Sequence, residues 1–116
     1  MSIFTVFVRA VGVAAMLSLA ANTIAAGASE KSFSLTIKDH RFAPETLHVP
    51  AGEAFSLIVI NADPTSEEFE SQDFHVEKTV AGGKQITVHV GPLTAGTYGF
   101  FGDHHQDTAL GNLFAE

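Results

Sequence analysis

From residue 33 onward apolar and polar positions alternate in short bursts, and turn residues separate one burst from the next. Phe33, Leu35 and Ile37 alternate with Ser34, Thr36 and Lys38, the period-two pattern of a strand with one buried face. Phe42-Ala43-Pro44-Glu45 breaks it, and Leu47 with Val49 forms a short second strand before Pro50. After the turn at Ala51-Gly52-Glu53, Ala54 to Ile60 is apolar enough to be a central strand. Asn61 to Ser66 contains a proline and side chains that cap their own backbone, so it reads as a loop. The segment Phe74 to Val80 alternates again, as do Ile86 to Val90 and Thr97 to Phe101, and Asn112 to Ala115 supplies a last short strand. Nothing fixes Phe69 to Phe74 as strand, and a helical turn there is an alternative.

About seven short strands with turns every eight to twelve residues, and no helical period of any length, predict an all-β sandwich or small barrel. Phe33, Phe55, Phe74, Tyr98 and Phe100 fall on the inward parity of their strands and are core, whereas Phe101 has the opposite parity. His48 and His89 sit between apolar neighbours and read as solvent-facing strand residues.

The first 28 residues differ from the rest. A single charge, Arg9, precedes the apolar stretch Ala10 to Ala21, and small residues end at Ala26-Gly27-Ala28. That is the layout of a cleaved secretory signal peptide, with a retained anchor as the alternative. The mature domain is then 29–116, one domain with one modest core, and an exported location follows. Within it five Lys or Arg face thirteen Asp or Glu, a formal charge of −8. Such a surface repels nucleic acid and attracts cations or a basic partner. The sequence has no Cys, which excludes disulfides, thiol catalysis and thiolate ligation of a metal. It shows no nucleophile elbow, phosphate loop or dinucleotide motif, so no organic substrate is predicted.

Two stretches carry candidate chemistry. Asp103-His104-His105 lies just past a strand end, and imidazole nitrogen with carboxylate oxygen suits first-row divalent metals. Glu67 to His75 holds four acids in its first seven positions; extended, it places Glu68 and Glu70 on one face and Glu67 away from them. If the two stretches are neighbours, they form one site of oxygen and nitrogen donors. If their side chains diverge, the acidic patch is a docking surface on a metal-free sandwich.

The run Gly91-Pro92-Leu93-Thr94-Ala95-Gly96-Thr97-Tyr98-Gly99-Phe100-Phe101-Gly102-Asp103-His104-His105, continuing to Gly111, resembles the cupredoxin superfamily, which implies a Greek-key β-sandwich. Laid on the blue-copper motif, Gly102 takes the Cys position, His105 the His position and Leu110 the Met position. The region that carries the upstream histidine ligand supplies Glu68 instead. Three of the four ligands are absent, so the resemblance is to the fold and not to type 1 copper chemistry.

A closer resemblance, on Phe42-x-Pro44-x-x-Leu47, Glu68-Phe69-Glu70-Ser71 with His75 and Glu77-Lys78, and Asp107-Thr108-Ala109, is to small periplasmic cupredoxin-like proteins of bacterial ferrous iron uptake. It implies a periplasmic accessory that binds copper and/or iron, works beside an iron-binding partner protein and an inner-membrane permease, and relays an electron from Fe(II). Its implied metal ligands are Glu68, Glu70 and Asp103 as hard oxygen donors, with His105 and either His75 or His104 as nitrogen donors.

Overall fold

The computed structural model describes residues 30–116, so the leader expected at 1–28 lies outside the described residues. The described chain forms nine strands: β1 (Lys31–Lys38), β2 (Arg41–Ala43), β3 (Thr46–Val49), β4 (Phe55–Asn61), β5 (Glu67–Ser71), β6 (Val76–Val80), β7 (Gln85–Val90), β8 (Gly96–Gly102) and β9 (Leu110–Ala115). A 3-10 turn, Asp103–His105, follows β8 directly. The strands make two sheets, ordered β2-β1-β4-β7 and β3-β9-β8-β5-β6. The pairs β1 with β4 and β3 with β9 are parallel, and every other pair is antiparallel. The pairs β1–β2, β5–β6 and β8–β9 stay within one sheet and every other connection crosses between the layers, which makes this an all-β sandwich of the kind the resemblance implies.

Period two decides which residues meet between the layers. Leu35 and Ile37 of β1, Phe55, Leu57 and Val59 of β4, and Val88 and Val90 of β7 are buried from one sheet. Phe69, Phe100, Leu113 and Ala115 are buried from the other. Phe42 joins the layers at one end, its ring edge-on to Phe100 at 5.0 Å and to Phe69 at 6.0 Å.

Nine strands rather than seven reflects two short segments whose cues were weak. Arg41–Ala43 has only Phe42 to bury, yet its pairing with Thr36 to Lys38 makes it a strand. Glu67–Ser71 is acidic and its pattern alone does not fix it as strand, but Phe69 is wholly buried and the segment pairs on both sides, with β6 and β8. The turn expected near Phe74 spans residues 72–75 and ends at His75, whose φ of 59° is left-handed.

Asp63 fixes the end of the sandwich that matters below. Asp39 and His40 form the two-residue connection between β1 and β2, both with left-handed φ, 53° and 58°. Such a turn suits a hairpin's twist but is unfavourable for residues other than glycine. The Asp63 carboxylate, almost fully buried, accepts hydrogen bonds from the backbone N–H of Asp39 at 2.7 Å and of His40 at 2.9 Å. Asn61 in turn accepts from the Asp63 N–H and donates to the carbonyls of Thr65 and Val80. Replacing Asp63 by Ala leaves two N–H groups without their acceptor, and we expect a loss of about 1–3 kcal/mol in urea unfolding. A change within experimental error would show that the turn needs no tether.

Candidate metal centre

Strand parity divides the acids of β5 between the two faces of its sheet. Glu67 shares the inward parity of Phe69 and Ser71, and its side chain is 2% exposed. Glu68 and Glu70 point outward and are partly exposed. On this outer face Glu70 lies opposite Glu77 of β6 and opposite Phe101 of β8.

Immediately after β8 the 3-10 turn carries Asp103 to the same outer edge. Ligand oxygens of Glu68, Glu70 and Asp103 all fall within 4.8 Å of one another, and all three residues are partly exposed. One ion bound at about 2.0–2.4 Å spans such separations. Repulsion is the cost of the arrangement. The Glu68 carboxyl is held above its ordinary range by desolvation, then by the charges of Glu77, Asp103 and Glu70. Glu70 is raised likewise, by desolvation and by Glu77 and Asp103.

The inward acid, Glu67, holds this geometry together. One oxygen, Oε1, accepts from the N–H of Glu68 at 2.9 Å and from the N–H of His104 at 2.7 Å. The other, Oε2, lies 2.7 Å from Nδ1 of His105. One carboxylate thus ties the start of β5 to the 3-10 turn. Burial alone would raise its pKa, but the bonds from His105, Glu68 and His104 outweigh burial and hold it below the ordinary range.

Gly102 makes room for this. A Cβ there would lie 2.6 Å from Cδ of Glu67, 2.8 Å from its Oε2 and 2.9 Å from Cβ of Ala109. The position that the blue-copper motif gives to cysteine is therefore closed by the Glu67 carboxylate. With no Cys in the chain and Leu110 half exposed at the position of the thioether, the described residues do not fit type 1 copper. The three outer carboxylates do fit a hard cation.

Of the residues expected at the site, Glu68, Glu70 and Asp103 come together. His104 stands beside them, with Nδ1 3.2 Å from the carbonyl of Ser66 and its charge acting on Glu68. His105 belongs to Glu67 on the inner side, and His75 occupies the exposed turn before β6. Sequence reasoning passed over two residues. Glu67, rather than Glu68, faces inward and meets His105, and its parity with Phe69 is the signal that locates it. His40, in a turn beside Arg41, carries no local signal of a site, yet its ring stacks on His105 with centroids 3.5 Å apart and planes 11° from parallel.

Comparison with known proteins agrees with this fold. The protein family described as "Cupredoxin-like domain" matches residues 8–115. An uncharacterized protein of Rickettsia prowazekii, RP394, is 51% identical over 77 residues, 66% of this chain, and the chain spans 62% of that protein's length. Among solved structures, auracyanin A, a "blue" copper protein of Chloroflexus aurantiacus, has a TM-score of 0.65 at 13% identity, covering 76% of this chain and all of that one. Auracyanin B gives 0.65 at 12% identity over 80% and 94% of the two chains. An amicyanin variant in its Cu(I) form gives 0.60 at 18% identity over 73% and 82%. At these identities the likeness is one of fold.

Acid and base act on this end with opposite signs. Glu67 and Asp63 are held low in the folded state, so they stabilise it above the ordinary carboxylate range of about pH 4 and lose that contribution as pH falls through their folded values. Glu68 and Glu70 are held high, so stability falls as pH rises through their window. We therefore expect Glu70→Gln to raise the melting temperature of chelator-treated protein at neutral pH. An unchanged or lower value would show that the carboxylates do not repel. Gly102→Ala should cost about 1–3 kcal/mol in urea unfolding by displacing Glu67.

Proposed function

The chain belongs to the cupredoxin-like domain family, and from that premise we propose that it is an exported metal-binding protein, an accessory of iron uptake, whose Glu68, Glu70 and Asp103 take up a hard cation. The convergence of three carboxylates from β5 and the 3-10 turn carries this reading. Carboxylate oxygen favours hard ions, and iron is the cargo that the resemblance to iron-uptake proteins implies. A bound cation offsets the repulsion that raises Glu68 and Glu70, so binding has a driving force beyond the three bonds. The acidic surface raises the local cation concentration. In this reading the ion is handed on to a periplasmic iron-binding protein or an inner-membrane permease.

The chain's own part is to hold three oxygens in place and to keep a thiolate out. Copper, when bound, would supply one-electron chemistry, and the imidazoles of His104 and His105 are the donors that suit it. The test is calorimetric titration with Fe(II) under anaerobic conditions and with Mn(II). We expect one site, weakened at least ~10-fold by Glu68→Gln, Glu70→Gln or Asp103→Asn. Weak binding that none of the three substitutions alters would refute the reading.

A second reading rests on the groove beside the carboxylates. It holds about 560 Å³ and is lined by Glu45, Gln72, Asp73, Phe101 and Leu110 among others, with Leu110 half exposed. Two acids, Glu45 and Asp73, beside Phe101 and Leu110 suit a basic protein partner with an apolar side chain. Partner binding that depends on Leu110 and persists in excess chelator would favour docking over metal uptake.

A further inference from the structure

Charge is divided between the two layers of the sandwich. The strands of the five-stranded sheet hold Glu67, Glu68, Glu70 and Glu77, whereas β1, β2, β4 and β7 contain no Asp or Glu. On that acid-free sheet Lys38 lies opposite Arg41, and neither forms an ion pair among the described residues. A second copy of so acidic a chain can approach this face without carboxylates meeting.

Strand register sets out the face in rows. Ser34 of β1, Ile58 of β4 and Thr87 of β7 form its middle row. On one side lie Ser32, Ser56 and His89, and on the other Thr36, Ile60 and Gln85. Glu30 lies beyond the first of these rows, its carboxylate against Ser56 and His89, and Lys38 lies beyond the second. Ile58 and Ile60 are partly exposed and supply the apolar surface.

We propose that this face is the interface of a symmetric dimer, in which the four-stranded sheets of two copies pack face to face with β1 of one antiparallel to β1 of the other. The spacing along β1 carries the proposal. Ser34 stands midway between Glu30 and Lys38, and all three share the outward parity. A two-fold axis running across the strands at the middle row therefore sets Glu30 against the partner's Lys38 at both ends, and Ile58 against the partner's Ile58. With the strands parallel, the same faces would bring the two Lys38 and Arg41 ends together, so charge selects the antiparallel arrangement.

Size sets the strength. Four strands ~4.8 Å apart, over about 27 Å from Glu30 to Lys38, give roughly 500 Å² of flat face per copy. That is under the ~800 Å² per partner of a standard interface, so the dimer is weak and dissociates on the order of 10 μM. Glu68, Glu70 and Asp103 belong to the other layer and stay open in both copies.

The test is sedimentation equilibrium of the exported protein in excess chelator over about 1–200 μM, where the mass should rise from one chain to two. Glu30→Lys and Lys38→Glu should each weaken the dimer ~5-fold or more, because like charges then meet at both ends. Together they rebuild both pairs in reverse and should return to within ~2-fold of the wild type. Ser34→Arg, at an exposed position on the axis, should abolish the dimer while circular dichroism shows the fold retained. If that variant does not fold, the charge exchange still decides. A single chain at every concentration, a dimer untouched by Ser34→Arg, or a double variant as weak as the single ones overturns the proposal. So does a chain that stays single and binds phosphatidylglycerol vesicles through Lys38 and Arg41, the result expected of a face made for anionic headgroups.

Discussion

A single buried carboxylate, Glu67, sets the terms for everything at this end of the sandwich. Removing a charge from water is costly, and the cost is met only where several donors converge. Here two backbone N–H groups and one imidazole do so. Those donors come from positions 68, 104 and 105, so satisfying the charge brings β5 and the 3-10 turn together. The outer carboxylates are neighbours because the inner one is satisfied.

The same carboxylate leaves the fold intact while closing its interior beside Gly102. Auracyanin and amicyanin share the architecture. In this chain the space next to Gly102 is occupied by Glu67, and no sulfur ligand exists. Donors have gathered on the outer face of the five-stranded sheet, where strand parity presents Glu68 and Glu70 to solvent. The interior there is closed by the hydrogen-bonded Glu67 carboxylate. The hard donors are exposed, where an ion can enter and leave.

Much of the fold was legible because period two is a strong signal wherever a strand buries one face. Phe55 and Phe100 were placed in the core from parity alone, and both are buried. The pairing of Glu68 with Glu70 on one face was legible for the same reason. The strand character of Glu67–Ser71 was hidden by its charges, since its only large apolar residue is Phe69. The role of Glu67 was hidden because its partners lie 37 and 38 positions away. His40 could not be connected to His105 without knowing that Asp63 turns the β1–β2 hairpin toward the 3-10 turn. Long-range contacts of this kind leave no local period to read.

We propose that metal binds on the outer face, between β5 and the 3-10 turn, and not in the interior beside Gly102. Anomalous diffraction from crystals grown with Mn(II) measures this directly. The account predicts one strong peak within bonding distance of Glu68, Glu70 and Asp103, with Glu67 still bonded to His105. A peak coordinated by Glu67 in the interior, or no peak at the three outer carboxylates, would contradict it.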